Sequence, residues 1–341
     1  MHHPARLGVA LAALALTAVG CSSSENGSGG SGGSGGNAAA SAATVTSCGR
    51  ELSFDAPPER AVTLDQSATE TLLELGLADR MAGTAYLKTK VAEEYQDAYA
   101  RVPVLSPDIL TGEQLRAATP DLVVGSFEDH YSKDRVGTRE ELAELDLPTY
   151  VSAVDCPEHG DPDKTPFDLL FDDYRNYGTV FGVEDRAAEL VDEQRAVVEE
   201  AAGTAEKVTG EPTVVWLYSI YDNKPYVAGK GGLPSEMSRL VGAKNAFDDV
   251  DEEWPEVSWE QIADRDPDFI VVGDLSERGK PGDSAEEKLT TMREDPVVSR
   301  LTAVEKNRII EVPGIEMDPS VRTTHTLGLL IAGMKDLGHV R

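Results

Sequence analysis

The run Glu184-Asp185-Arg186-Ala187-Ala188-Glu189-Leu190-Val191-Asp192-Glu193-Gln194-Arg195-Ala196-Val197-Val198-Glu199-Glu200-Ala201-Ala202-Gly203 lies near the middle of the chain and decides how the rest is read. Its apolar residues recur mostly at steps of three and four with acids and arginines between them, which predicts a single amphipathic helix. Glu184 and Asp185 suit the positive end of that helix and Gly203 ends it. At about 1.5 Å per residue the helix spans roughly 30 Å, the width of a small domain. A second helical pattern, from Phe167 to Phe181, precedes it and is closed by Gly182.

On either side of this helix the sequence repeats itself. Glu113-Gln114-Leu115 is followed by Pro120-Asp121-Leu122-Val123-Val124, and Glu260-Gln261-Ile262 by Pro267-Asp268-Phe269-Ile270-Val271, at a constant offset of 147 residues. Each copy reads as a short helix broken by a Pro-Asp turn and followed by a buried strand. A strand opens each half, Arg60 to Leu64 and Thr213 to Leu217, and another follows at Thr149 to Val151 and at Arg308 to Val312. The alternation predicts an α/β fold of two similar lobes, each a mostly parallel sheet covered by helices, bridged by one long helix.

Composition bounds the function. The 341 residues suffice for two lobes with cores of their own, and 61 acids against 31 Lys plus Arg give a formal net charge of -30. That field repels phosphate backbones, so nucleic acid is not an expected partner. The first residues read as a targeting segment: Arg6, an apolar run from Leu7 to Val19, then Gly20-Cys21, a small residue ahead of a cysteine like a bacterial lipobox. The expected organisation is a signal peptide over residues 1–21, with Cys21 lipidated, and a Gly/Ser/Ala tether over 22–47. An N-terminal lobe follows over 48–166, connecting helices over 167–206 and a C-terminal lobe over 207–341. Localisation is then extracytoplasmic, held at the cell membrane by lipid alone. In an exported chain the remaining pair, Cys48 and Cys156, points to a disulfide rather than a metal site or nucleophile. No histidine pair stands at ligand spacing, so no metal site and no cofactor are expected, and no esterase, zinc-protease or phosphate-loop motif appears.

From Pro57 onward the chain resembles the class III periplasmic binding proteins, the substrate-binding lipoproteins of ABC importers for iron-siderophores, haem and cobalamin. The resemblance rests on four stretches in order. They are the first strand with its polar loop and the helix ending Leu75-Gly76-Leu77; Glu113 to Val124; Gly242-Ala243-Lys244-Asn245-Ala246-Phe247; and Val257 to Val272. It implies a monomeric binder rather than an enzyme, capturing a ferric siderophore or similar chelate between the lobes and delivering it to a permease; cobalamin or haem is the alternative within the family. An extracytoplasmic enzyme using interlobe carboxylates such as Asp65 and Glu70 is the alternative from another class.

A ligand is expected where the carboxyl ends of the strands face the crevice. The residues expected there are Gln66 of the loop after the first strand, with the rings of Tyr86, Phe127, Tyr131, Tyr218, Tyr221 and Trp254 to stack on a large conjugated chelate, and Arg322 and His325. The resemblance also implies one exposed glutamate per lobe that pairs with arginines of the permease, and places these at Glu113 and Glu236.

Overall fold

The structure is a computed structural model and describes residues 42–341. The signal segment, Cys21 and the tether up to Ser41 lie outside the described residues. Ala43–Ser47, assigned above to the tether, form strand β1 instead, paired antiparallel with β2 (Arg50–Phe54). Ala43, Val45 and Ser47 point inward and Thr44 and Thr46 outward, a two-residue period too short to stand out from a neighbouring low-complexity run. At the tip, Cys48 and Gly49 take left-handed backbone, and Cys48 is bonded to Cys156 with 5.7 Å between their Cα atoms.

The N-terminal lobe runs β3 (Ala61–Thr63), α1 (Gln66–Glu74), β4 (Met81–Ala85), α2 (Gln96–Tyr99), β5 (Val104–Ser106), α3 (Gly112–Ala117), β6 (Leu122–Gly125), α4 (Arg139–Ala143) and β7 (Thr149–Val151). Its five strands are parallel in the order β5-β4-β3-β6-β7. Two helices follow, α5 (Pro166–Phe181) and α6 (Glu184–Ala202), separated by Gly182 at φ +68° and Val183. The C-terminal lobe runs β8 (Thr213–Tyr221), β9 (Lys224–Val227), α7 (Leu233–Leu240), β10 (Lys244–Asn245), α8 (Trp259–Arg265), β11 (Phe269–Asp274), α9 (Ala285–Glu294), α10 (Thr302–Glu305), β12 (Ile309–Pro313) and α11 (Thr323–Asp336). Its sheet is parallel in the order β10-β8-β11-β12, with β9 antiparallel on β8.

The sequence repeat is a structural one. Thr111 caps α3 and Ser258 caps α8, each in a reciprocal box with the Gln three residues on. Thr119 and Asp266, the residues before the two prolines, are both left-handed, at φ +48° and +42°. The aspartate after each proline then fastens the strand that opens its own lobe. Asp121 accepts from the backbone N–H of Glu59 and Arg60 at 2.8 and 2.9 Å, and Asp268 from that of Thr213 at 2.8 Å.

Both sheets are buried on two faces, which is why their central strands read as unbroken apolar runs. Val62, Leu64 and Val123 pack on one side of the first sheet, and Val215, Leu217, Ile270 and Val272 on one side of the second. The other faces belong to a single core: Ala61, Val124, Phe167, Phe171, Tyr174, Leu190, Val191, Trp216, Val271 and Met334 form one connected cluster through α5 and α6. Asp173 ties α5 to the first lobe, accepting from Tyr150 Oη at 2.8 Å and Ser152 Oγ at 2.6 Å. Gln194 ties α6 to the second, donating to the Val321 carbonyl at 2.7 Å. Among the described residues no helix is long and apolar enough to cross a membrane.

Candidate functional site

Between the lobes, at the carboxyl ends of the strands, lies a cleft of about 480 Å³. Tyr86 enters it directly after β4, at φ +52°, a conformation costly for an aromatic residue that swings the following segment across the crevice. Phe127 and His130 follow β6, Asp155 follows β7, and Tyr218 lies in β8. Glu252, Glu253 and Trp254 come from the loop after β10, and Asp318 from the segment after β12. Tyr218 and Trp254 pack with ring centres 4.8 Å apart, and His130 meets Tyr86 and Phe127 edge to face.

Lys88 stands in the middle of this wall. Its ammonium bonds Asp318 at 2.8 Å and Tyr218 Oη at 2.7 Å, both from the opposite lobe, and lies 5.2, 5.4 and 5.9 Å from the ring centres of Tyr218, Phe127 and Tyr86. Burial works against that charge, but the Asp318 carboxylate and Tyr218 outweigh it and hold the ammonium protonated well above the ordinary lysine range. The nearby His130 is pushed down by burial and by Lys88 despite Asp65, so its ring is neutral. Asp155 and Glu253 face each other across the cleft, one from each lobe, and share a hydrogen bond. Burial raises Asp155 to about 7, and burial beside Asp155 raises Glu253 well above the carboxylate range. Behind Tyr218, fully buried Lys288 donates to the carbonyls of Tyr218 and Gly273, both at 2.5 Å, tying β8 to β11.

Of the expected ligand residues, Tyr86, Phe127, Tyr218 and Trp254 meet in this cleft. Gln66 does not line it. Its oxygen accepts from the backbone N–H of Lys88 at 3.0 Å and of Thr89 at 2.9 Å, and its amide donates to Thr89 Oγ1 at 2.9 Å, so it clamps the segment that carries Lys88. Tyr131 is buried in the first lobe, donating to the Tyr150 carbonyl at 2.8 Å. Tyr221 lies at the far end of β8, which is four residues longer than expected and turns at Asp222-Asn223, and packs on Tyr226 and Arg278. Arg322 and His325 are both held by the buried Glu316, at 3.0 and 2.8 Å. Arg322 opens instead into a separate recess of about 420 Å³ with Thr89, Lys90, Glu277 and Glu311. The Lys88–Lys90 segment therefore lies between two interlobe recesses.

The carboxylates considered for an enzymatic site are occupied structurally. Asp65 caps α1 and accepts from Ser126 N and Oγ at 2.6 and 2.7 Å, and Glu70 is fully buried against Gln66 and Arg322. Among the described residues no group of three or more His, Cys, Asp and Glu is arranged to hold a metal ion. Of the two expected docking glutamates, Glu113 is exposed on α3. Glu236 is not: its side chain is 7% exposed and both oxygens are taken by Arg239 at 2.6 and 2.7 Å, because the two residues stand one helical turn apart.

Known proteins bear on this geometry. Solved structures share the fold. One is a periplasmic binding protein from Veillonella parvula, 27% identical with a TM-score of 0.74, covering 86% of this chain and 97% of its own. Another is an ABC-type Fe3+-hydroxamate transport system protein from Saccharomonospora viridis, 27% identical with a TM-score of 0.70 over 85% and 98%. A vitamin B12-binding protein of Pectobacterium atrosepticum is 25% identical over 225 residues, 65% of this chain and 74% of its own length. Residues 62–315 match the family described as periplasmic binding protein, which holds binders and not enzymes, and the chain belongs to that family.

Proposed function

We propose that the chain is the substrate-binding component of an ABC importer, taking a bulky ferric chelate of the siderophore kind into the interlobe cleft and releasing it unchanged to a permease. The observation that carries this reading is the wall of Tyr86, Phe127, Tyr218 and Trp254 assembled from both lobes around a cleft of about 480 Å³. Aromatic faces of that extent suit a large chelate, and among the described residues no group of three or more His, Cys, Asp and Glu is arranged to hold a bare ion. The likeness to an Fe3+-hydroxamate transport protein supports it. The second reading, a corrinoid in the same cleft, is favoured by the vitamin B12-binding relative. Because Trp254 packs against Tyr218 in the cleft wall, a bound ferric chelate should quench the intrinsic fluorescence at submicromolar concentration, and free ferric ion should not. Quenching by free ion alone overturns the proposal, and quenching by cobalamin with no response to ferric chelates selects the second reading.

The same proposal holds the protein to the cell membrane through a lipid on Cys21, with the Gly/Ser-rich stretch of sequence behind it as a spacer. Cys21→Ala should move the protein from the membrane fraction to the medium or leave it unprocessed. Retention of that variant at the wild-type level counts against the anchor.

A further inference from the structure

The charges that line the cleft are unequally matched. Asp129, Asp155, Glu252, Glu253 and Asp318 face it against two cations, Lys88 and Arg135. Both cations are already engaged by carboxylates of the protein, Lys88 by Asp318 at 2.8 Å and Arg135 by Asp129 at 2.6 Å. Asp155, Glu252 and Glu253 have no cationic partner among the described residues. An anionic ligand entering here meets no free positive charge, and the acids lining the cleft oppose it wherever they are ionised.

A second observation points the same way. The aromatic wall already holds a cation, the Lys88 ammonium, ringed by Tyr86, Phe127 and Tyr218 at 5.2 to 5.9 Å. Ring faces present negative quadrupole to the cleft, so aromatics and acids combine in one sign of potential. The chain as a whole adds to it with its net charge of -30.

We infer that the cleft selects chelates without net negative charge, and that a pendant ammonium or amide N–H of the ligand is received between Asp155 and Glu253 beside the aromatic wall. The inference rests on the ferric-chelate reading above and narrows it. Neutral and cationic hydroxamate chelates fit; tris-catecholate chelates, which keep a large negative charge, do not.

The test titrates the purified protein, by intrinsic fluorescence, with three probes. They are a linear ferric trihydroxamate bearing one pendant ammonium, the same chelate N-acetylated to neutrality, and a ferric tris-catecholate. The first two should bind, the ammonium form more tightly with a margin that shrinks as salt is added. The tris-catecholate should bind weaker by about a hundredfold or more, the scale set by a few uncompensated charges at close range. In Asp155→Asn/Glu253→Gln the ammonium and acetylated forms should come within about twofold of each other. Tris-catecholate binding as tight as that of the hydroxamates, in the wild-type protein where folding is not in question, overturns the inference alone. An undiminished preference for the ammonium form in the folded double variant overturns the role given to the acid pair. Failure of all three probes overturns the ferric-chelate reading and the inference with it.

Discussion

Lys88 keeps its charge inside the cleft because Asp318 of the opposite lobe meets it there, whereas burial raises Asp155 to about 7 against the pull of its hydrogen bonds with the Glu128 backbone and Glu253. The second case has a measurable consequence. An unfolded aspartate titrates near 3.9, about three units below the folded value of about 7. The folded state therefore favours the protonated form, and its contribution to stability is complete below the unfolded value and lost as pH rises through about 7. Of the groups facing Asp155 from neighbouring elements, the Glu128 backbone N–H and Glu253 pull its pKa down through hydrogen bonds, the charges of Glu128 and Asp65 push it up, and burial outweighs the hydrogen bonds. The melting temperature should fall by a few degrees between pH 6 and pH 8, and Asp155→Asn should remove part of that fall. Asp173, fully buried and also raised to about 7 by burial, and Glu253, raised well above the carboxylate range, contribute to the remainder. A pH slope in Asp155→Asn identical to that of the wild type would assign the titration elsewhere. At this scale the sequence was half legible. Tyr86, Phe127, Tyr218 and Trp254 line the cleft, as expected from their place near the carboxyl ends of the strands and the loops that follow. Gln66, Tyr131, Tyr221, Arg322 and His325 stand in the same loops, but their side chains are claimed by neighbours that sequence distance hides, as Arg322 is by Glu316. Lys88 was missed because the left-handed Tyr86 redirects the chain just before it.

Elements were more legible than side chains because they are announced locally. Capping boxes mark the starts of α3, α4, α5, α8 and α9, and Gly182 marks the end of α5. The missed strands are short, the β1–β2 hairpin, the three-residue β5 and the two-residue β10, whose pairing depends on a neighbour already in place, and the helices α9 and α11 were not read either. The β8–β9 hairpin did carry a signal, Asp222-Asn223, two residues that tolerate left-handed backbone in a tight turn. The contact that joins α5 to α6 depends on Gly178. A Cβ there would come within 2.6 Å of Ala187 Cβ and 3.2 Å of the Glu184 Cα, and backbone cannot yield as a flexible side chain does. Gly178→Val should therefore destabilise the protein by roughly 1–3 kcal/mol, the usual cost of overpacking. Urea unfolding should show a lowered midpoint with unchanged slope; an unchanged midpoint would mean the two helices can part without loss.

For the whole molecule, one core passing through α5 and α6 into both sheets makes the two lobes a joined body, and a partner can then read both at once. The proposed permease contact needs one exposed acid on each lobe in equivalent places. Glu236 fails that condition, held by Arg239, and the repeat supplies its replacement. Glu113 and Glu260 stand 147 positions apart, each the second residue after the cap of a helix with the same capping box, each exposed and without an ion-pair partner among the described residues. A carboxylate at a helix start also favours the helix dipole, so a single reversal costs some stability, typically 0.3–1 kcal/mol, whatever else it does. The distinguishing variant is the double reversal Glu113→Lys with Glu260→Lys. Neither residue lines the cleft, so chelate quenching should keep its wild-type midpoint. Uptake into cells should be lost, since two like-charge contacts at an interface can cost several kcal/mol. Uptake that survives the double reversal would leave both glutamates as ordinary first-turn acids, and uptake lost on reversing Glu236 alone would restore the original assignment despite its pairing with Arg239.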